Sequence, residues 1–275
     1  MSASTAPALL YGTAWKGERT AELVEHAIEL GFRGIDTACQ PKHYDEAGVG
    51  RGVATWLARG LPRAELYLQT KFTPLGGQDP ARVPYDPGAP LREQVAASCQ
   101  VSLSNLGVSY LDAWVLHSPI SPRAQLREAW QAMEAAVDAG VVRALGISNC
   151  HDTRLLSELW QAARVKPTIV QNRFYAATGY DRALRAFCAG HGLRYQSFWT
   201  LTANGSVLRH ADLRAIAARH AATPEQVFFA YLTTLDITPL TGTCSARHMR
   251  EDLDIFRIVL DAPERAALER LLVDA

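Results

Sequence analysis

The chain has 275 residues, 48% of them hydrophobic and 20% charged, with 28 Lys plus Arg against 28 Asp plus Glu. This composition describes a soluble globular protein, and its zero formal charge gives no electrostatic basis for binding nucleic acid or a membrane surface. No apolar run approaches the about 18 residues that cross a bilayer, and the small, polar segment Met1–Pro7 lacks the basic and apolar stretches of a secretion signal. Five widely spaced cysteines (Cys39, Cys99, Cys150, Cys188 and Cys244) form no CxxC and read as free thiols of a reducing, cytoplasmic compartment.

Along the chain, β-type runs alternate with amphipathic helical stretches. The predicted strands are Leu9–Ala14, Gly34–Ala38, Leu66–Phe72, Tyr110–His117, Ala144–Asn149, Ile169–Arg173, Tyr195–Leu201 and Thr238–Thr243. Helical spacing marks Arg19–Leu30, Leu91–Leu106, Arg123–Ala139, Thr153–Ala163, Asp181–Ala189 and Pro224–Leu235. Gly31, Gly140 and Gly192 stand as helix C-caps, and Thr223-Pro224 as an N-cap followed by proline at the first helical position. Eight strands alternating with about eight helices, with no linker, predict one (β/α)₈ TIM barrel over residues 1–275. A doubly wound sheet is the rival, but no Gly-rich turn follows the first strand. The longest irregular segment, Thr73–Pro90, follows the third strand and is expected to overhang the mouth.

Three strands end in polar residues of different chemistry: Asp36, Lys71 and His117. Singly, each has an ordinary structural reading as a turn cap, a solvated amine or a hydrogen-bonded histidine. Together, on consecutive strands of one parallel sheet, they converge on the edge where such folds place chemistry. Tyr44 follows the first of them. A nearby ammonium would lower the pKa of its phenol, Asp36 would keep Lys71 charged, and His117 could orient a carbonyl. No Ser–His–acid order, HExxH or His/Cys cluster with metal spacing occurs. The glycines of Gly48-Val49-Gly50-Arg51-Gly52 follow a loop, not a strand, and read as helix packing rather than a nucleotide turn.

These segments resemble the aldo-keto reductase family. Gly31–Ala38 and His43–Gly50 are similar to its signature around the catalytic Asp and Tyr. Gln69-Thr70-Lys71 and Leu116-His117-Ser118 are similar to its Lys and His strands. Gly146–Asn149, Gln171-Asn172 and Thr243–Asp252 are similar to its cofactor segments. The resemblance implies NAD(P)H-dependent reduction of small-molecule aldehydes or ketones by an oxidoreductase that binds NADP(H) without a Rossmann domain. It assigns Asp36, Tyr44, Lys71 and His117 as the catalytic tetrad, with Tyr44 the general acid. Gly12, Thr13, Ala14, Asp36, Ser148, Asn149, Gln171, Phe198, Leu201, Thr243, Cys244, Ser245, His248, Glu251 and Asp252 would contact the cofactor. Trp15, His117 and Trp199 would face substrate. The stretch from Asp36 to Tyr44 is longer than in the commonest members. Gly242 and His248 stand where the family often carries the Lys and Arg that read the 2′-phosphate, with Arg247 or Arg250 as substitutes, so NADPH is expected with NADH as the alternative. Short termini predict an open pocket bounded by Trp15, Trp199 and Thr73–Pro90, and the neutral surface without interaction tails predicts a monomer. Two other functions fit a barrel of this kind: a non-enzymatic NADP(H)-binding regulator, and a Schiff-base lyase using Lys71.

Overall fold

A computed structural model of the protein describes residues 6–273, so the first residues of Met1–Pro7 and the last two of the expected 1–275 domain lie outside it. Eight parallel strands close in chain order into a barrel. They are β1 (Leu10–Gly12), β2 (Gly34–Asp36), β3 (Tyr67–Phe72), β4 (Ala113–Leu116), β5 (Leu145–Ser148), β6 (Ile169–Arg173), β7 (Arg194–Phe198) and β8 (Ile237–Thr241). Closure is by the pairs Leu10↔Leu240 and Tyr11↔Thr241. The predicted TIM barrel is the observed fold.

The helices follow the strands: α1 (Thr20–Leu30), α2 (Glu46–Ala58), α3 (Leu91–Leu106), α4 (Arg123–Asp138), α5 (Thr153–Ala162) and α6 (Arg182–His191). After β7 come α7 (Gly205–Arg209), α8 (Ala211–Arg219) and α9 (Pro224–Thr234), and after β8 come α10 (Ala246–Leu253) and α11 (Ala262–Val273). The local signals are realised. Gly31, Gly140 and Gly192 take positive φ of 120°, 74° and 70° at helix ends, a state cheap only for glycine. Thr223 and Gln226 form a reciprocal capping box at the start of α9. No helix among the described residues is long and apolar enough to cross a membrane.

Two apolar layers hold the barrel. The larger lies between strands and helices and includes Trp114, Trp130, Phe32, Phe174 and Phe228. A smaller cluster of Leu10, Tyr67, Ala113, Ile169 and Leu240 fills the barrel itself. The glycines of α2 are packing residues: a Cβ on Gly52 would stand 2.7 Å from the Ala21 carbonyl oxygen, and one on Gly50 would overlap that of Asn105. They let α2 lie close against α1 and α3.

Above the inner apolar cluster the barrel turns polar. The register Gly12↔Asp36 and Asp36↔Gln69 on one side, with Ser148↔Gln171 and Gln171↔Gln196 on the other, brings Asp36 and three glutamines to one level. Strand periodicity of two then fixes what stands above them: Lys71 and Arg173 are each two residues further along their strands.

Candidate active site

Asp36 and Lys71 form a buried ion pair, Nζ to Oδ2 2.6 Å, and Lys71 also donates to the Thr37 carbonyl at 2.8 Å. The second oxygen of Asp36 accepts from Gln69 Nε2 at 2.7 Å and Gln171 Nε2 at 2.9 Å. Both oxygens of the carboxylate are thereby hydrogen-bonded and its charge is paired, the condition for carrying a charge this deep. Lys71 Nζ lies 5.4 Å from the Tyr44 ring centroid.

Tyr44 reaches the mouth through the long connection after β2. Strand pairing continues past Asp36, with Thr37 N donating to Gln69 O and Cys39 N to Lys71 O. A turn follows in which the His43 and Tyr44 amides both donate to Gln40 O. Gln40 Nε2 donates to Gly77 O at 2.6 Å and Gln78 Nε2 to Cys39 O at 3.0 Å, stapling this turn to the segment after β3. Beyond Tyr44, Asp45 caps α2 by accepting from Gly48 N at 2.8 Å. Residues 37–43 thus extend the sheet pairing and deliver the phenol to its place beside Lys71.

The electrostatics of Tyr44 differ from the expectation. Burial, and second the Asp36 carboxylate, push its phenol above the ordinary tyrosine range. Burial also lowers Lys71, against the opposing pull of Asp36. The ammonium is already spent on Asp36, so desolvation governs the phenol and keeps it protonated.

His117 lies 6.1 Å from Tyr44, ring centroid to centroid, in an edge-on arrangement. Burial first, then the Lys71 and His43 charges, lower its pKa to about 3, so the ring is neutral. Its Nδ1 is 2.6 Å from Thr73 Oγ1. Thr73 can donate its hydroxyl proton there, which leaves Nε2–H directed away from Thr73.

Tyr44 and His117 face a cleft of about 1040 Å³. Its walls include Gly12, Ala14, Asp36, Ser148, Asn149, Gln171, Phe198, Leu201, Thr243, His248, Glu251 and Asp252, which brings most of the sequence-derived cofactor residues together. Three do not reach it. Thr13 is fully buried, its hydroxyl donating to the Asp36 carbonyl at 2.9 Å. Cys244 is exposed beside the cleft, and Ser245 is spent as the cap of α10. Trp15 and Trp199 both line the cleft, exposed by 64% and 45%. Thr73–Pro90 does not bound it, contrary to expectation: Tyr85 turns inward against Phe72, 5.7 Å between centroids, and donates to Thr73 O at 2.6 Å. Among the described residues no group of three or more His, Cys, Asp or Glu is arranged to hold a metal.

A family model for the aldo/keto reductase family matches residues 9–273. The chain belongs to the aldo/keto reductase family. An aldo-keto reductase of Mycobacterium leprae is 30% identical over 270 residues, 98% of this chain and 88% of the relative. An aldo/keto reductase structure from Brucella melitensis superposes with a TM-score of 0.81 at 25% identity, covering 96% of this chain and 95% of that one. A Bombyx mori aldo-keto reductase solved in complex with NADP gives 0.80 at 25% identity over 96% and 89%.

Several residues of this reductase escape sequence reasoning. Lys16 lines the cleft and its ammonium contacts the Gly242 carbonyl, so a cation does stand beside Gly242, supplied from the β1 loop. Of the two arginines that the sequence offers as substitute cations, Arg247 lines the cleft and pairs with Glu251 at 2.8 Å, whereas Arg250 does not line it. Thr73 holds His117 from a segment read only as a loop. His151 and Arg173 line the β5–β6 side. Period-two counting from Gln171 along a predicted strand would have found Arg173.

Proposed function

We propose that this reductase converts aldehydes or ketones to alcohols with NADPH, and that Tyr44 is the general acid. One observation carries the reading: a protonated phenol and a neutral imidazole face one cleft above a buried Asp36–Lys71 pair. When bound, the reduced nicotinamide supplies a hydride to the carbonyl carbon. The residues present fit that group. Gln171 Oε1 and Asn149 Oδ1 accept no hydrogen bond among the described residues, although both side-chain amides donate inward, Gln171 to Asp36 and Asn149 Nδ2 to His117 O at 2.8 Å. Together with Ser148 they can hold a carboxamide, and Phe198 offers a ring face. Thr243, His248, Glu251 and Asp252 would meet the adenosine end, where Lys16 and Arg247 supply positive charge.

The chain's own residues do the proton chemistry. His117 Nε2–H and the Tyr44 hydroxyl both donate to the substrate carbonyl oxygen, which fixes its orientation and polarises it. As negative charge grows there, Tyr44 releases its proton to an oxygen far more basic than a phenolate. Lys71, its Nζ 5.4 Å from the Tyr44 ring centroid, would offset the charge left behind. Two carbonyl-free features argue against Schiff-base chemistry at Lys71: it lies outside the cleft wall, and a covalent bond to it would break its contacts with Asp36 and Thr37.

Absorbance measurement of NADPH and NADH oxidation across a panel of aldehydes and ketones tests the reaction. Tyr44→Phe is expected to lower turnover by about 10²–10⁴-fold while NADPH binding, followed by fluorescence, stays close to wild type. Wild-type rates in that variant would remove Tyr44 from the role of acid.

A further inference from the structure

The mouth of the cleft carries a cation that the proton chemistry does not use. Arg173 ends β6 two residues beyond Gln171 and on the same strand face, so it stands one layer further toward solvent. Its guanidinium lies 4.1 Å over the Trp199 ring and 5.2 Å from the Tyr175 ring centroid. Among the described residues it makes no side-chain hydrogen bond and meets no carboxylate, unlike Arg247 at the opposite end of the cleft, which pairs with Glu251. Stacking occupies the faces of a guanidinium and leaves its N–H edge free. That planar edge matches the oxygens of a carboxylate or phosphate.

The surroundings hold the edge in place. Trp199 adopts a left-handed backbone, φ 55°, a state costly for an aromatic residue and characteristic of ligand clamps. His151 completes the rim, its ring edge-on to Tyr175 at 6.1 Å. Its Nδ1 is fixed 2.8 Å from Asp181 Oδ1, and Asp181 is held in turn by Asn172 at 2.7 Å and Tyr195 at 2.8 Å. The Asp181 charge is therefore spent within its own network, and the free ring nitrogen of His151 is Nε2.

We infer that this rim is an anion site in which Arg173 selects carbonyl substrates carrying a carboxylate or phosphate. The inference rests on the reductase function proposed above. The carbonyl is held by Tyr44 and His117, and the acidic end of the same molecule is held by Arg173, with Trp199 and Tyr175 as apolar walls. A dinucleotide's pyrophosphate presents the same chemistry, so a test must separate the two sources.

The probes are 4-carboxybenzaldehyde and its neutral methyl ester, with wild type, Arg173→Gln and Arg173→Lys, and NADPH dissociation constants measured for each protein. The expected result is that Arg173→Gln lowers the carboxylate-to-ester ratio of kcat/KM by about tenfold or more, chiefly through KM. Arg173→Lys restores part of it, and NADPH affinity holds in all three, which also shows that the variants fold. An unchanged ratio overturns the inference while leaving the reductase function standing. Loss of NADPH affinity with an unchanged ratio overturns it too, and gives Arg173 to the cofactor. Failure of the wild type to reduce either aldehyde removes the reductase reading and this assignment with it.

Discussion

His117 shows how far a residue's surroundings can move its chemistry. An exposed histidine titrates near pH 6.5; this one is held at about 3 by burial and by the Lys71 and His43 charges. Between those values the unfolded chain binds a proton that the folded chain refuses. The stability tied to His117 is therefore complete above about pH 6.5 and is lost as pH falls toward 3. Denaturant titrations from pH 7 to pH 4 should show a shallower loss of stability for His117→Gln than for wild type. In kinetics, kcat/KM should show no inflection from this histidine between about pH 5 and 9. The identity of His117 was legible because it closes an apolar strand. Its neutrality was not, because it depends first on burial, and then on Lys71 and His43, all supplied by other segments. Tyr44 makes the same point with the opposite outcome: proximity to Lys71 suggested a lowered pKa, and burial reversed the sign.

The connection between β2 and α2 is the element on which Tyr44, the proposed proton donor, depends. Asp45, directly after Tyr44, accepts from Gly48 N and pairs with Arg51 at 3.1 Å. Glu46 is buried beneath it and bonds Thr70 and, at 3.1 Å, Asn105. Asp45→Ala is expected to cost about 1 kcal/mol through the lost cap, a fall of about 2 °C in melting temperature for a chain of this size. Its turnover should fall further than its NADPH affinity, because the first turn of α2 fixes Tyr44. The strands were legible from apolar runs with polar ends, and α9 from its Thr-Pro start. Of α2 the sequence marks only Gly48, Gly50 and Gly52 as helix packing, without its bounds, and α8 carries no such mark. The first is rich in glycine and the second in alanine, so neither displays a strong apolar stripe. The contacts of Gln69 and Gln196 with the Asp36 level, and of Thr73 with His117, were not legible, since which side chain enters a barrel is decided by register between strands far apart in sequence.

For the whole molecule, the polar level inside the barrel exchanges stability for chemistry. Asp36, Lys71 and three glutamines occupy space that apolar side chains could fill. Lys71→Met alone strands the Asp36 charge and should destabilise the protein by about 3–5 kcal/mol. Adding Asp36→Asn should recover much of that loss in denaturant unfolding without returning activity. Recovery of activity in the double variant would show that the pair serves packing alone. The closed barrel and its eight-strand order were readable from alternation and length, whereas the cost of this polar level becomes visible only when the strands are aligned.

The stapling of the Tyr44 turn to Gly77 and Gln78 carries a practical consequence for redesign. The segment after β3 is stapled to the turn that carries Tyr44 and supports His117 through Thr73, so on the proposed assignment diversity introduced at 73–78 would disturb catalysis before it alters the choice of molecule. Libraries meant to widen substrate range belong instead at His151, Tyr175 and Trp199, where side chains face the cleft away from the Tyr44 turn, whereas Trp15 packs on that turn through His43.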